Sequence, residues 1–190
     1  MTAARLASFV LVAACLAGCA GSDRSSETLT VTGPTRTDFE KVGETLDYHC
    51  GNLACHGTTT RNLRIYGDQG LRLSSDDIPC GEPTTDDEFD ADYRSLVALE
   101  PEIMSSVVAE GGANPGRLTL VRKPRNAEKH EGGAVFRDAT DVDACTTACG
   151  DDRNCVRSCY GDRCLTSWLT GDVDVPACGN ALPETRCNPQ

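Results

Sequence analysis

Large side chains are scarce: one Trp, four Tyr and four Phe make 5% of 190 residues, so few groups are available to fill a core. Histidine, with three residues, and methionine, with two, are scarcer still. Positive charge is the third deficit, with 18 Lys+Arg against 29 Asp+Glu, a net charge of −11 and a pI near 4.6. Such a surface repels phosphate backbones and anionic headgroups, which excludes nucleic acid and points a charged protein partner toward cationic character. No alternating run is long enough for a sheet core, and no internal repeat has a solenoid period. Nucleophile elbows, phosphate loops and zinc-protease helices are also missing, so the chain does not read as an enzyme. The length suits one domain with at most a small appendage. What the chain does have is cysteine: twelve residues, a density that belongs to an oxidising compartment or to a metal or cofactor site.

The compartment is written at the N-terminus. Arg5 is the only charge in the first 22 residues and precedes the apolar run from Leu6 to Leu16, too short for a permanent span but right for a signal-peptide core. The run ends Leu16-Ala17-Gly18-Cys19, which resembles the lipobox of bacterial lipoproteins and implies cleavage after Gly18 and acylation of Cys19. Residues 1–18 then read as a signal peptide, and the mature chain carries −12. Ala20 after the lipidated cysteine, in place of an acidic residue, favours the outer over the inner membrane of a Gram-negative envelope, with the protein held at the periplasmic or outer face by its lipid alone. Residues 19–38, rich in Ser, Thr and Gly, read as anchor and flexible tether.

The body, residues 39–190, reads as mainly α with long loops. Thr37-Asp38-Phe39-Glu40 has the form of a capping box, and Phe39, Val42 and Leu46 follow at helical spacing, which predicts a helix running into Tyr48-His49-Cys50. Thr85-Asp86-Asp87-Glu88 repeats the form ahead of Phe89, Tyr93, Leu96 and Val97, predicting a second helix whose early acids suit the helix dipole. Pro101 opens a third, with Ile103, Met104, Val107 and Val108, stopped by Gly111-Gly112. Leu63-Arg64-Ile65 and Leu118–Val121 read as extended pieces. The acidic clusters at 86–92 and at Asp138, Asp141 and Asp143 lack the glycine and terminal glutamate of a calcium loop and read as solvated faces.

Chemistry concentrates in Tyr48-His49-Cys50-Gly51-Asn52-Leu53-Ala54-Cys55-His56-Gly57. Two cysteines, the second followed directly by histidine, form the arrangement that attaches c-type haem: Cys50 and Cys55 would make thioethers and His56 would ligate the iron. The usual spacing has two residues between the cysteines and this chain has four. A Cys50–Cys55 disulfide beside a solvated His56 is the other reading of the same residues. For a second axial ligand the candidates are His130, in a loop with Gly132 and Gly133 that can approach a haem face closely, Met104, and His49. His130 is preferred, because Met104 sits among core-type residues and His49 at a helix end reads as solvated.

The longer Cys-x4-Cys-His spacing, together with His130-Glu131-Gly132-Gly133 and Trp168-Leu169-Thr170-Gly171, resembles planctomycete- and myxobacterial-type cytochrome c domains. That resemblance covers most of Phe39 to Gly171. It implies a small cytochrome c-like fold with one covalent haem c, in which first and last helices cross beside the cofactor through Phe39, Leu46, Leu165, Trp168 and Leu169.

The remaining cysteines read differently. Cys145, Cys149, Cys155 and Cys159 form two pairs, each one helical turn apart, so a hairpin of short helices, in an insertion at about residues 140–162, can be clipped by Cys145–Cys159 and Cys149–Cys155. Zinc is the weaker reading, since export favours oxidation. Cys80, Cys164, Cys178 and Cys187 have no pairing legible in the sequence. The functional expectation is a membrane-anchored, haem-binding electron-transfer lipoprotein with a redox partner protein. The alternative is a cofactor-free, disulfide-rich surface lipoprotein acting as a binding or envelope module.

Overall fold

Helix α1, Phe39–Cys50, forms where the first apolar stripe lies. The computed structural model describes residues 30–185; the signal segment, Cys19, most of the tether and Cys187 lie outside the described residues. Asp38 occupies the N-cap of α1 in a left-handed conformation (φ 64°) and makes no side-chain cap, so the capping box expected at Thr37 does not form. Phe39 N–H instead bonds Arg36 O at 3.2 Å, because the preceding segment is drawn into a tight turn. Tyr93 Oη donates to Pro34 O at 2.7 Å and Trp168 Nε1 to Thr35 O at 3.1 Å. Thr32 N–H meets Ser105 Oγ, so chain docking begins ahead of Phe39, within the stretch expected to be tether.

Helix α2, Asp86–Val97, carries both bonds of the predicted capping box: Glu88 N–H to Thr85 Oγ1 at 3.3 Å and Thr85 N–H to Glu88 Oε2 at 2.9 Å. Helix α3, Pro101–Ala109, begins with its proline and ends before Gly111 and Gly112, both at positive φ. The piece around Leu118–Val121 is helical rather than extended, as helix α4, Thr119–Arg122. The Glu100 carboxylate accepts from both the N–H and the hydroxyl of Thr119, supplying the N-terminal anion that a short helix needs. Leu63–Ile65 forms no strand; among the described residues only isolated bridges, Asn52 with Gly70 and Tyr66 with Leu71, stand in for sheet.

Helices α5, Val142–Cys149, and α6, Arg153–Thr170, make the C-terminal hairpin, capped by Asp141 and Asp152. Cys145 is bonded to Cys159 and Cys149 to Cys155, the pairs expected from their spacing. Helix α7, Val175–Asn180, is tied to α6 by Cys164–Cys178, and Cys80 is disulfide-bonded as well. The four cysteines read as a staple therefore hold no zinc.

The core forms where α1 crosses α6. Phe39, Val42 and Leu46 meet Leu165, Trp168 and Leu169, with Phe89 and Leu96 of α2 and Met104 and Val107 of α3 closing the cluster. Phe39 lies 5.1 Å from Trp168 and 5.5 Å from Tyr93, centroid to centroid, within the range where aromatic pairs add stability beyond burial. Replacing both Cys164 and Cys178 by Ser should lower unfolding stability by about 3 kcal/mol, the loop-closure contribution of a 14-residue crosslink. Denaturant unfolding checks this, and an unchanged midpoint would show that α7 is held by packing alone.

Candidate functional site

The last turn of α1 delivers Cys50 into a loop built from close backbone contacts. His56 N–H bonds Cys50 O at 2.9 Å, closing the loop between the two cysteines. Asn52 organises its interior: its backbone carbonyl accepts from Cys55 and Gly57 N–H, and its side-chain Oδ1 from Ala54 and Cys55 N–H, an arrangement in which an Asn side chain mimics a turn of backbone. A Cβ on either Gly57 or Gly70 would overlap the Gly51 carbonyl oxygen, so these chain segments approach as only glycine allows. Ile65 N–H then returns to His56 O at 3.0 Å.

Beneath the loop, Asp47 is 2% exposed. Its carboxyl accepts from Asp68 N–H at 3.0 Å, Thr84 Oγ1 at 3.2 Å and Gln69 N–H at 3.4 Å. Burial, followed by the hydrogen bond and like charge of Asp68, raises its pKa to about 8. Asp92 of α2 resembles it: Oδ1 accepts Tyr66 N–H at 2.7 Å, Oδ2 has no partner among the described residues, and burial raises the group to about 8. Asp47 is not singled out by the sequence, and Asp92, expected with the 86–92 cluster on a solvated face, is instead buried, as is Glu88, because each of these two accepts a hydrogen bond from the loops packed on α2. Asp47 and Asp92 fall on the buried stripe of their helices, Asp47 one residue beyond Leu46 and Asp92 three beyond Phe89, and that spacing was the signal available.

Cys50 and Cys55 are both unpaired, half-buried thiols, while the other seven described cysteines are disulfide-bonded. Burial, with lesser contributions from Cys55 and Asp47, pushes the Cys50 thiol up to about 12, so it is held protonated. The disulfide offered as the other reading of this pair is absent.

His56 and His130 face each other. Their ring centroids are 6.4 Å apart and their planes differ by 16°. His56 Nδ1 lies 3.0 Å from Leu63 O and His130 Nδ1 lies 2.9 Å from Gly133 O. A carbonyl can only accept, so Nδ1 carries the hydrogen on both rings and Nε2 is the nitrogen left to ligate. Metal-binding imidazoles characteristically donate their other N–H to such a partner, which fixes ring orientation. Burial, countered by the Leu63 bond and joined by the nearby His130, Arg61 and Lys123, lowers the pKa of His56, favouring the neutral, ligating ring. The His130 loop is closed by Gly133 N–H to His130 O at 3.0 Å, with Gly133 at φ 70°, and is fastened to the body through Val135 and Phe136 N–H, both on Pro124 O.

The rival ligands are engaged elsewhere. Met104 is 1% exposed inside the core cluster. His49 is not solvated: its Nε2 bonds Ala181 O at 3.0 Å, its ring packs edge-on against Tyr48 and Phe136, and burial lowers its pKa to about 4. No group of three or more His, Cys, Asp or Glu side chains gathers as a metal cluster among the described residues. A cavity of about 660 Å³ between α6 and the 179–184 segment contains neither facing imidazole. Compared with known families, curated proteins and solved structures, the chain matches none.

The buried groups make stability depend on pH. From the ordinary value of 3.8 up to about 8 the folded chain retains protons on Asp47 and Asp92 that the unfolded chain releases, so stability is lost as pH rises through that range. His49, lowered from 6.5 to about 4, gives the opposite slope, confined below 6.5. Between pH 6.5 and about 8 the carboxyls act alone, and the melting temperature should fall. Asp92→Asn should flatten that slope by its share. Thermal melts across the window check both, and a melting temperature that rises from pH 6.5 to 8 would contradict them.

Proposed function

We propose that the chain is an envelope lipoprotein that carries one covalently attached haem c and transfers single electrons. The observation that carries this reading is the facing pair of His56 and His130 beside two unpaired thiols. The two rings lie 6.4 Å apart, centroid to centroid, and nearly parallel, and with each Nδ1–H held by a carbonyl the two Nε2 atoms are the donors that would hold the group. Cys50 and Cys55 would hold the group by thioethers, and His56 and His130 would ligate it through Nε2. When bound, haem supplies a one-electron iron couple, and paired imidazoles favour a lower potential than an imidazole with a thioether.

The chain's own residues position the donors. Asn52 shapes the loop between the thiols, Leu63 O orients His56, and Gly133 O orients His130. The cytochrome c-like fold is part of this proposal, supported by α1 crossing α6 through Phe39 and Trp168 with the cysteine loop at the end of α1. A cofactor-free module would use Cys50–Cys55 as one more staple, and both thiols are free. The proposed anchor is acylated Cys19, holding the domain at the envelope, preferentially on the outer membrane. Among the described residues no helix is long and apolar enough to cross a membrane.

Expressed in a host with c-type maturation machinery able to process the longer spacing, the protein should show a Soret band and a reduced alpha band that survive denaturation. Cys50→Ala with Cys55→Ala should abolish covalent attachment. His130→Ala should retain attached haem but move its spectrum toward a high-spin or water-ligated form, whereas an unchanged spectrum would hand the second position to another residue. A colourless wild-type protein would overturn the reading. Labelling with a fatty-acid analogue should be lost in Cys19→Ser, and equal labelling of that variant would remove the anchor.

A further inference from the structure

Charge is distributed against the chain's average. Residues 56–65, which carry His56, include Arg61 and Arg64 and no acid; residues 122–133, which carry His130, include Arg122, Lys123, Arg125 and Lys129 against Glu128 and Glu131. Each segment is therefore +2 in a chain of −11, leaving −15 for everything else. The facing imidazoles bring these two segments together.

Local acids neutralise little of this charge. Arg61 and Arg64 are exposed and make no ion pair among the described residues. Arg122 and Lys123 share one carboxylate, Glu128, at 3.1 and 3.8 Å, and Arg122 reaches Glu100 at 4.0 Å. Lys129 meets Glu131 at 3.6 Å with both side chains almost fully exposed, a pair that water and salt largely screen. Only Arg125 is fully engaged, by Asp162 and Asp138. Arg61 and Lys123 both lie close enough to His56 to lower its pKa. Leu53, on the loop between the two thiols, is 62% exposed, an apolar residue of the kind that sits at the centre of a contact rimmed by charge.

We propose that the edge formed by Arg61 and Lys123 beside the His56–His130 pair, with Arg64 on the same 56–65 segment, is a docking surface for a protein partner presenting a carboxylate-rich face. Net charge alone suggested a cationic partner, but association is governed by the potential at the contacting patch, which a Debye length of about 8 Å separates from the rest of the surface at physiological salt. The remaining −15 would orient the molecule, turning its acidic faces away from an acidic partner and its cationic edge toward it. That this edge lies over a redox centre rests on the proposed function; the edge itself does not.

The test is a titration of the purified protein, reduced so that any low-spin iron is diamagnetic, with a decaglutamate peptide, read by backbone amide NMR. Shifts should cluster in residues 56–65 and 122–133 and be lost at about 1 M salt, where the screening length is about 3 Å. The double variant Arg61→Glu with Lys123→Glu, checked for an unchanged circular dichroism spectrum, should lose them, and decalysine should shift residues 86–92 instead. No shifts, or shifts centred on Arg153 and Arg157, would overturn the proposal. So would shifts in haem-free protein that disappear once haem is bound, because the charges would then be engaged by the cofactor's own carboxylates. Failure of the haem reading shows separately as a missing Soret band, and the titration remains decisive on haem-free protein.

Discussion

A buried carboxyl at the end of a helix organises the loops. Asp47 lies on the core stripe of α1, where an apolar side chain would ordinarily sit, and a group so placed must find hydrogen-bond partners or carry a desolvation cost. Its partners come from outside the helix: the backbone of Asp68 and Gln69 and the hydroxyl of Thr84. Satisfying one side chain therefore draws the 67–70 turn and the entry to α2 onto the last turn of α1. Gly70 then lies against the Gly51 carbonyl, with Gly57 beside it, and the loop between Cys50 and Cys55 is left only a compact path. Loss of this carboxyl would release the turn that sets where His56 sits as well as three hydrogen bonds.

Two further buried pairs do the same for other loops. Arg72 grips Glu88 through Nε and Nη2 while donating to Glu82 O and Pro83 O, which ties the long 66–85 connection to the N-terminus of α2. Arg125 holds Asp162 through two bonds of 2.6 and 2.7 Å, and Ala139 N–H adds a third, fixing both ends of the loop that carries His130 to α6. A chain with few aromatic residues thus holds its loops by paired charges and disulfides, and gathers Phe39 and Tyr93 on Trp168 at one crossing. The buried pairs are weak contributors to net stability as replacements for apolar packing, but removing one partner leaves the other charged and unpaired. They specify geometry more than they add stability.

The helices were legible because their signals are local. Thr85 with Glu88, Pro101 with the paired glycines, and the one-turn cysteine spacing at 145–159 each encode an element within a few residues, and each appears in place. The signals that misled depend on distant partners. The Thr37 capping box is locally well formed, but carbonyls at 34 and 35 held by Tyr93 and Trp168 impose another turn. Leu118–Val121 carries no helix-start signal of its own, since its cap is the side chain of Glu100, nineteen residues from Thr119. Cys164–Cys178 could not be chosen from sequence because α7 folds back through a loop with no periodic signature. At the site, residue types and their loop were legible, while the approach of His56 to His130 was not, since 74 residues separate them and the elements between determine their spacing.

The two facing imidazoles also show why composition alone misjudges a surface. A net charge of −11 describes the field far from the molecule, where individual positions merge, and it governs solubility and long-range repulsion. Within a screening length the relevant quantity is the charge of the segments that fold to one place. Here the two segments that carry His56 and His130 each hold two more basic than acidic residues, and acids gather instead at the start of α2, where the helix dipole stabilises them. The fold thus separates charge that the sequence, read linearly, averages out. The ring whose pKa is lowered by burial and neighbouring cations, with its Nδ1–H held by a carbonyl, is the one that lies nearly parallel to a second imidazole from the other cationic segment.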